Sequence, residues 1–412
     1  MKRFVIFVVT LVSAIILVKL DKQEASSYVG QTFQAFYAPD FYDIEGREVF
    51  RKLPNDPQLS ANYGLVNNGS GSDVKVSQAW RINYSCKPVT IAIIDTGIDR
   101  NHPDLKANLW RNRGERGFDS KGRRKEANGI DDDKNGYIDD LFGWDFVDND
   151  NNPEDTHGHG THVAGIVGAV GGNGIGTSGV CANAKLMVLK YYSARATGKE
   201  NLRNSVRALR YAIRMRARVI NYSGGGSYSS SDERNALKLA ERFGIIVVAA
   251  AGNGRSNTDW SSYYPASYDL DNIITVASTN YRGELAKTSN YGPRTVDIAA
   301  PGEQIYSTLP GGRYGKMTGT SQATPFVTGA VALLLSTYPD LTAAQIKWSL
   351  LKSIDPLPAR DRRKVLTGGK LNIYRALLIS SPKRTYVLRS NATAKKKSKK
   401  KTVTAKWFRK KR

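Results

Sequence analysis

The chain has 412 residues, of which 40% are hydrophobic, and it carries a formal net charge of +24. A chain of this length and composition can bury a full core, which excludes a disordered protein and allows one large domain or two ordinary ones. The charge is uneven, because residues 383–412 contain fourteen Lys or Arg and no acid, which leaves 24 − 14 = +10 for the rest.

The first 25 residues have the features of a secretory signal peptide. A basic start precedes an apolar run from Phe4 to Val18, which is shorter than the roughly 20 residues that span a bilayer. Ala25 is the best cleavage position but lacks the usual small-residue pattern, so an uncleaved membrane anchor is the alternative. We therefore expect a secreted, periplasmic or cell-envelope protein. Residues 26–52 form a short leader or propeptide.

Short β-branched runs alternate with helical patterns over residues 53–380, which predicts a parallel sheet covered by helices in one domain. The predicted strands are VTIAIIDTG, KLMVLKYY, RVINYS, GIIVVAAAG and NIITVAST. The predicted helices are HGTHVAGIVGAV, NLRNSVRALRYAIRMR, DERNALKLAERFG and TSQATPFVTGAVALLLSTY. Ligands of open α/β sheets bind beyond the carboxyl ends of the strands, so we expect the chemistry at the small and polar residues that end each strand.

Residues 111–156 interrupt this alternation with an insertion rich in Gly, Asp, Asn and Arg. A loop of this length without periodicity usually has a function or a ligand. Its segment GIDDDKNGYIDD spaces oxygen-bearing side chains as an EF-hand loop does, with Asp140 as a substitute for the missing glutamate. The predicted calcium ligands are Asp131, Asp133, Asn135 and Asp139. The alternative is a solvated run of charge.

Four arginines of the second predicted helix share one face at helical spacing. They are Arg203, Arg207, Arg210 and Arg214. We interpret this face as the solvated outer face of an amphipathic helix rather than as a binding surface.

The segment DTHGHGTHVAG holds three of the four histidines: His157, His159 and His162. His159 begins a predicted helix, Asp95 ends the first predicted strand, and Ser321 begins another helix. Nucleophilic catalysis needs a hydroxyl, an imidazole to accept its proton, and a carboxylate to hold the imidazole in the right tautomer. A zinc hydrolase built on the three histidines is the competing hypothesis, but the neighbouring sequence supplies no fourth ligand.

The chain order Asp, His, Ser and its flanking residues resemble the subtilisin-like serine proteases. The resemblance rests on DTGID followed by NHPDL, on HGTHVAG, AAAGN and YPASY, and on GTS-x-A-T-P-x-V-x-G, between about Leu53 and Leu378. The segment PNDPQLSANYGL, followed by QAW, is most similar to the thermitase-like branch. The resemblance implies a three-layer αβα fold with a mostly parallel, seven-stranded sheet, and endoproteolysis through an acyl-enzyme.

The resemblance also assigns roles to individual residues. The implied catalytic residues are the triad and an oxyanion donor: Asp95, His159, Ser321 and Asn253. His162 is implied to pack the helix, and His157 is expected to be exposed. A catalytically silent scaffold that acts only as a binding module is the alternative, which the complete set of four catalytic residues disfavours.

The segment NYSGGGS resembles the strand that pairs with the substrate backbone in this family. The implied walls of the pocket for the substrate residue before the scissile bond (P1) are Ser223, Gly224 and Gly225 on one side, and Ala250, Ala251 and Gly252 on the other. Small side chains on both walls predict a preference for a bulky apolar P1 residue. Gly224 replaces a frequent Leu, so we expect an open pocket further out along the substrate.

Calcium is the cofactor that the resemblance implies, at two places besides the EF-hand-like segment. The family's tight site maps onto Asp56, Asp104 and Asn173, with carbonyl groups of GGNGIGT. A thermitase-like loop, WDFVDNDNNPED, supplies Asp145, Asp150 and Glu154.

The two cysteines, Cys86 and Cys181, each precede a predicted strand. In the implied fold these strands are parallel neighbours, so the resemblance predicts a disulfide, which suits an exported protein. The alternative is two unrelated buried thiols.

The expected partners are protein or peptide substrates, and we expect a monomer. The basic segment 381–412 has little to bury and predicts a flexible tail that binds polyanions or an anionic surface. No base-reading motif accompanies it, so no specific recognition of nucleic acid is expected. A tail that only increases solubility is the alternative.

Overall fold

The computed structural model describes residues 53–67, 69 and 71–381, and the backbone of two short strands, Val5–Ile6 and Leu17–Val18, that pair antiparallel. The predicted leader and tail otherwise lie outside the described residues. The chain divides into two units, Met1–Arg51 and Lys52–Arg412, and the second unit contains everything that follows. Within the described part of the chain, no helix combines the length and the apolar character needed to cross a membrane.

A mostly parallel sheet of nine strands forms the centre of the second unit. The strands in chain order are β1 Thr90–Asp95, β2 Gly143–Asp145, β3 Lys185–Lys190, β4 Val219–Tyr222, β5 Ile246–Ala250, β6 Ile273–Thr279, β7 Ile298–Pro301, β8 Ile305–Leu309, β9 Arg313–Met317, β10 Asp355–Pro356 and β11 Gly369–Lys370. Their order across the sheet is β10-β11-β7-β6-β5-β4-β1-β3-β2, and β8 and β9 form a separate antiparallel hairpin. The seven expected strands are β1 to β7, and two-residue strands extend the sheet at the β7 edge.

Helices cover both faces of this sheet. They are α1 Val76–Ile82, α2 His159–Gly168, α3 Gly198–Arg214, α4 Ser231–Arg242, α5 Thr320–Thr337, α6 Ala343–Lys352 and α7 Ile373–Ser380. The helices predicted from the sequence are α2 to α5. Their starts follow local capping chemistry, since the Thr197 hydroxyl and the Glu200 carboxylate close a capping box on α3 and the Ser230 side chain accepts the Glu233 N–H on α4.

The alternation of side chains along β1 creates the two outer layers. Ile91 and Ile93 pack into the cluster that contains the apolar residues of α2 and α5. Ala92 and Ile94 point the other way, into the cluster formed with α3 and α4. Because successive residues of a strand face opposite sides, one buried strand joins both layers. The predicted three-layer αβα fold is confirmed.

A disulfide joins the two cysteines at one end of the sheet. Cys86 and Cys181 are fully buried, and their Cα atoms are 5.5 Å apart. The cause is the register of the neighbouring strands, because Thr90 of β1 lies opposite Lys185 of β3 in the parallel pair. The prediction of this bridge is confirmed.

The insertion 111–156 folds back over α3. The Arg207 guanidinium lies 5.3 Å from the centre of the Phe146 ring and donates to the Phe146 carbonyl oxygen at 3.3 Å. Arg214 donates to the Asn135 carbonyl oxygen. Arg203, Arg210 and Arg214 are exposed, as predicted for a solvated outer face, whereas Arg207 is half-buried because the insertion supplies it with a carbonyl and an aromatic partner.

Candidate active site

The carboxylate and the imidazole of the predicted triad meet where β1 ends and α2 begins. Asp95 is the buried last residue of β1, and its Oδ1 lies 2.6 Å from Nδ1 of His159, the first residue of α2. The start of α2 comes this close because residue 160 has no side chain: a Cβ on Gly160 would lie 2.1 Å from the Gly97 carbonyl oxygen. The glycine after the histidine therefore determines the distance between base and carboxylate.

Asp155 organises the loop that enters α2. Its carboxylate accepts hydrogen bonds at 2.8 to 3.0 Å from the backbone N–H groups of His157, Gly158 and Thr161. It also accepts the Thr96 hydroxyl at 2.9 Å, which ties the loop to the residue after Asp95. This positioning role of Asp155 was not predicted from the sequence. The sequence does contain an indication of it, because an aspartate shortly before a helix start commonly accepts hydrogen bonds from the free N–H groups of the first turn.

The pKa of the His159 imidazole reflects two opposing effects. Burial lowers it, but the charge of Asp95 and the hydrogen bond that the imidazole donates to the Asp95 carboxylate raise it, and the net shift is upward from 6.5. The carboxylate also holds the ring with Nδ1 facing Asp95, which leaves Nε2 for the reacting proton.

Ser321 lies in the first turn of α5 and is linked in both directions to the predicted substrate strand. Its hydroxyl donates to the Ser223 carbonyl oxygen at 2.8 Å, and the Ser223 hydroxyl donates to the Ser321 carbonyl oxygen at 3.0 Å. In this rotamer the nucleophile faces the substrate wall rather than His159. Catalysis requires the hydroxyl to rotate toward Nε2, and catalytic hydrogen bonds often become aligned only when substrate binds.

Asn253 is held in the orientation of an oxyanion donor. Its Oδ1 accepts the Thr320 N–H at 2.9 Å and the Thr320 hydroxyl at 3.2 Å. With Oδ1 engaged in this way, Nδ2 remains as a donor near Gly319, at the N-terminus of the helix that carries Ser321. The amide and the helix N-terminus together provide positive potential at this position.

The other histidines of the cluster do not converge with His159 on a metal position. His162 is fully buried, and its Nε2 lies 3.0 Å from the Ile305 carbonyl oxygen of the hairpin that covers α2. Burial lowers the pKa of His162 to about 4. His157 is exposed. Among the described residues, the one group with converging metal-ligand atoms contains no histidine, so the geometry does not support the zinc hypothesis.

A cavity of about 890 Å³ lies beside Asp95 and His159. It is also lined by the first predicted wall, Ser223, Gly224 and Gly225, and by Tyr191 and Leu202. The open pocket further out along the substrate stays a prediction.

The second predicted wall has small residues, but a tyrosine occupies the space beside it. Ala250, Ala251 and Gly252 follow one another at the buried end of β5. The Tyr263 ring packs against Gly252 from one side and against Gly225 from the other. The preference for a bulky P1 residue stays a prediction; it was made without Tyr263, which comes from a segment that the wall sequences do not include.

An acidic cluster in the insertion has the geometry of a cation site. Glu115, Asp131 and Asp133 each bring a carboxylate oxygen within 4.8 Å of the others. Glu115 is fully buried and its Oε2 has no hydrogen-bond partner. Burial raises the pKa of Glu115 to about 7. Glu115 was not among the predicted ligands, because it precedes Asp131, the first predicted ligand of the EF-hand-like segment, by sixteen positions.

Two of the predicted EF-hand-like ligands have other partners. The Asp139 carboxylate accepts the Asn128 and Gly129 N–H groups and lies outside the acidic cluster. Asn135 uses its amide nitrogen to bind Asp140 at 2.8 Å. Asp139 has a left-handed backbone conformation, and the roles of Asp139 and Asn135 as calcium ligands stay predictions.

The second predicted calcium position brings its residues together. Asn173 Nδ2 lies 2.8 Å from Asp104 Oδ1, and Asp56 accepts the Gly172 and Asn173 N–H groups. Burial raises the pKa of Asp104. The three side chains therefore lie around one loop, residues 171–177.

Protein cations already neutralise the third predicted position. Lys190 Nζ lies 2.6 Å from Asp145 Oδ2, and Arg100 Nε lies 3.5 Å from Glu154 Oε2. Asp150 accepts the Asn152 N–H. These ion pairs satisfy the need for a counterion that the acidic sequence suggested.

Comparison with known proteins agrees with this arrangement of fold and site. Residues 87–377, more than half of the chain, match the description of the subtilase family, peptidase S8. The chain belongs to the subtilase family. The resemblance seen in the sequence is thereby confirmed.

Individual relatives show how far the similarity of this subtilase extends. Thermitase of Thermoactinomyces vulgaris is 34% identical over 325 residues, which are 79% of this chain and 99% of thermitase. Subtilisin-like protease 1 of Plasmodium falciparum (isolate 3D7) is 36% identical over 328 residues, 75% of this chain and 46% of that protein. This subtilase thus spans about half the length of the Plasmodium relatives that it matches.

The fold is also found among solved structures. A protease from Pseudoalteromonas arctica PAMC 21717 superimposes with a TM-score of 0.64 at 26% sequence identity. The superposition covers 80% of this chain and all of that one.

Proposed function

We propose that this subtilase is a serine endopeptidase that hydrolyses peptide bonds through an acyl-enzyme. The observation that carries the proposal is the 2.6 Å contact between Asp95 and His159, at the strand end that faces the Ser321 helix. Its support is that the carboxylate-held imidazole lines an open cavity together with Ser223, to which Ser321, at a helix N-terminus, is hydrogen-bonded. Family membership supports the same chemistry.

In this proposal Ser321 is the nucleophile. Its hydroxyl leaves the Ser223 carbonyl and attacks the scissile carbonyl carbon, while Nε2 of His159 accepts the hydroxyl proton. The protonated imidazole then gives that proton to the leaving amine, and Asp95 stabilises the positive ring. A water molecule repeats the sequence on the acyl-enzyme and releases the second product.

Negative charge that develops on the substrate carbonyl oxygen needs fixed donors. Asn253 Nδ2 fits this role, because hydrogen bonds to Thr320 hold the opposite end of its amide. Removing one such donor typically costs 10² to 10³ in kcat.

We propose calcium as a structural cofactor at two positions. The first is the cluster of Glu115, Asp131 and Asp133, where the buried and unpartnered Glu115 oxygen fits a hard cation that prefers oxygen ligands. The second is the group formed by Asp56, Asp104 and Asn173. The ion would neutralise buried carboxylates and order the loops that carry them. Calcium is not proposed at the Lys190 loop, where an ammonium group pairs with Asp145.

We also propose that the protein acts outside the cytoplasm. The buried disulfide supports this location, because disulfides persist in oxidising compartments. The apolar N-terminal run of the sequence supports export, either as a cleaved signal peptide or as an anchor.

The proposed activity is tested by labelling with a serine-directed phosphonate and by the Ser321→Ala variant. The wild-type protein should react at Ser321 and hydrolyse denatured protein, whereas the variant should lose nearly all hydrolysis and keep its melting temperature. Ser321 contributes little to packing in the wild-type protein. An unchanged melting temperature of the variant therefore shows that its loss of hydrolysis is chemical. A wild-type protein that binds denatured protein without labelling or hydrolysis would instead be the silent scaffold.

A further inference from the structure

Tyr263 lies between the two predicted walls of the P1 pocket. A Cβ atom on Gly225 would lie 2.7 Å from Cε1 of the Tyr263 ring. A Cβ atom on Gly252 would lie 3.1 Å from Cγ of the same ring. One edge of the ring is therefore in contact with both walls, at the two places where the walls have no side chain.

The backbone that carries this ring is held in place. The Tyr263 N–H donates to the Ser267 hydroxyl at 3.0 Å, and the Ser267 N–H donates to the Tyr263 carbonyl oxygen at 2.8 Å. Tyr264 and Gly226 exchange two backbone hydrogen bonds at 2.7 and 2.8 Å. The segment is thus attached to the first wall immediately beyond Gly225, and these bonds fix the backbone position from which the ring projects.

The two glycines and the ring complement each other. The space that the missing side chains leave is shared between the Tyr263 ring and two other groups, the Tyr264 carbonyl oxygen at Gly225 and the Asn290 amide nitrogen at Gly252. The ring is partly buried, and this burial raises the pKa of the Tyr263 phenol. A large substrate side chain would have to displace the ring from close-packed surroundings.

We propose that Tyr263 is a specificity-determining residue that closes the P1 pocket to large side chains, so that this subtilase cleaves after Gly, Ala or Ser. The inference rests on the proposed function. It replaces the preference for a bulky P1 residue that the small wall residues alone predict. Discrimination arises from a steric element directed against the wrong substrate rather than from new contacts with the right one.

The restriction applies to P1 alone. The cavity of about 890 Å³ is lined by Gly224, Tyr191 and Leu202, and Gly252 is not among its lining residues. Bulky substrate residues further from the scissile bond therefore remain acceptable, and a peptide series should vary only the P1 residue.

The experiment compares kcat/KM for two chromogenic peptides that differ only in having Ala or Phe at P1. The wild-type protein should prefer Ala by at least tenfold. Tyr263→Gly should reverse the preference, with the rate constant for Phe rising at least tenfold. Tyr263→Phe should keep the wild-type preference, because it retains the ring and removes only the hydroxyl group.

A matched control removes another tyrosine of the same cavity. Tyr228 lines the cavity and is 83% exposed, so Tyr228→Gly should leave the Ala to Phe ratio unchanged. Titration of competent Ser321 with the phosphonate normalises all rates and shows that each variant is folded. If Tyr263→Gly does not fold, the P1 preference is measured instead from the cleavage of an unbiased peptide library by the wild-type protein.

Two results would overturn the proposal while leaving the proposed function intact. One is a phosphonate-reactive wild-type protein that cleaves after Phe or Leu as readily as after Ala. The other is a Tyr263→Gly variant with an unchanged ratio. A wild-type protein that neither reacts with the phosphonate nor cleaves any peptide overturns the proposed function, and this proposal with it.

Discussion

At the scale of single residues, catalysis depends on a neutral imidazole beside a charged carboxylate. Burial lowers the pKa of His159 and Asp95 raises it, with a net shift above 6.5. Because the protonated imidazole cannot accept the Ser321 proton, activity is present above this pKa and is lost as the pH falls through it. The hydrogen bond at 2.6 Å thus also determines the acid limit of activity.

We expect the acid limb of kcat/KM against pH to lie above 6.5 in the wild-type protein. Asp95→Asn removes the two effects of Asp95 that raise the pKa of His159 and leaves burial and the smaller effect of Asp155. The limb should therefore move to lower pH while kcat falls by about 10⁴-fold. The measurement is a pH profile with a small peptide substrate. A wild-type limb well below pH 6.5 would contradict the assigned role of Asp95.

At the scale of elements, the insertion 111–156 positions the start of α2 at His159. The insertion carries the acidic cluster around Glu115, and its Phe146 ring packs against Arg207 of α3. Its end contains Asp155, which binds the backbone at the start of α2. The carboxylates of the cluster repel one another unless a cation is bound. Order in the insertion is therefore connected by the chain to the position of His159.

Calcium should stabilise the folded protein. In the Ser321→Ala variant, which cannot digest itself, a chelator should lower the melting temperature and added calcium should restore it, whereas zinc should not. The expected stabilisation is about 2.7 kcal/mol when free calcium is a hundredfold above its dissociation constant. Identical melting curves with chelator and with millimolar calcium would refute a structural role.

Site assignment uses a pair of variants in that same background. Glu115→Gln should weaken calcium binding, measured by calorimetry, at least tenfold at the insertion site. Asp148→Asn is the matched control, because Asp148 is an exposed acid of the same insertion that pairs with Lys190. Equal calcium affinity in the two variants would remove Glu115 from the ligand set.

The disulfide connects the starts of β1 and β3 across 95 residues of sequence. Closing a loop of about 100 residues is worth about 4.7 kcal/mol in the chain-entropy model. The double variant Cys86→Ala, Cys181→Ala should therefore unfold at lower denaturant concentration with a loss of about 4 kcal/mol. Thiol counting on unreduced, denatured wild-type protein should give none, and two free thiols would contradict the bridge.

At the scale of the whole molecule, charge and chemistry are separated along the chain. Residues 383–412 supply fourteen of the excess positive charges, and the remaining chain has +10. The predicted triad lies in the domain between the leader and this basic segment, and that domain contains acidic residues as well as basic ones. We therefore propose that retention on polyanions belongs to the basic segment and hydrolysis to the domain.

Deleting residues 383–412 should leave hydrolysis of a small peptide unchanged and abolish salt-sensitive retention on heparin. The physical reason is counterion release, which makes binding by clustered Lys and Arg depend steeply on salt. A full-length control in which Gln replaces all fourteen Lys and Arg of 383–412 keeps the length and removes the charge, and it should behave like the deletion. Undiminished retention of both variants would assign the attraction to the domain.

The sequence by itself determined the elements and the chemistry of the triad. Strand runs such as VTIAIIDTG and the helix start at His159 are local patterns of periodicity, glycine and capping, and they lie where the patterns predicted. The disulfide followed from strand order once the fold was implied. These features were predictable because each depends on neighbours in the chain or on a topology shared by the family.

Only the tertiary structure decided the contacts between distant segments. Tyr263 fills a gap between walls formed by Gly225 and Gly252, Glu115 joins acids sixteen or more positions away, and Ser321 directs its hydroxyl to the substrate strand. No local sequence pattern predicts these contacts, because they depend on how loops of particular lengths pack against the sheet. The sequence therefore predicted which reaction the site can perform, whereas the packing of distant segments decided which groups lie beside the predicted catalytic residues.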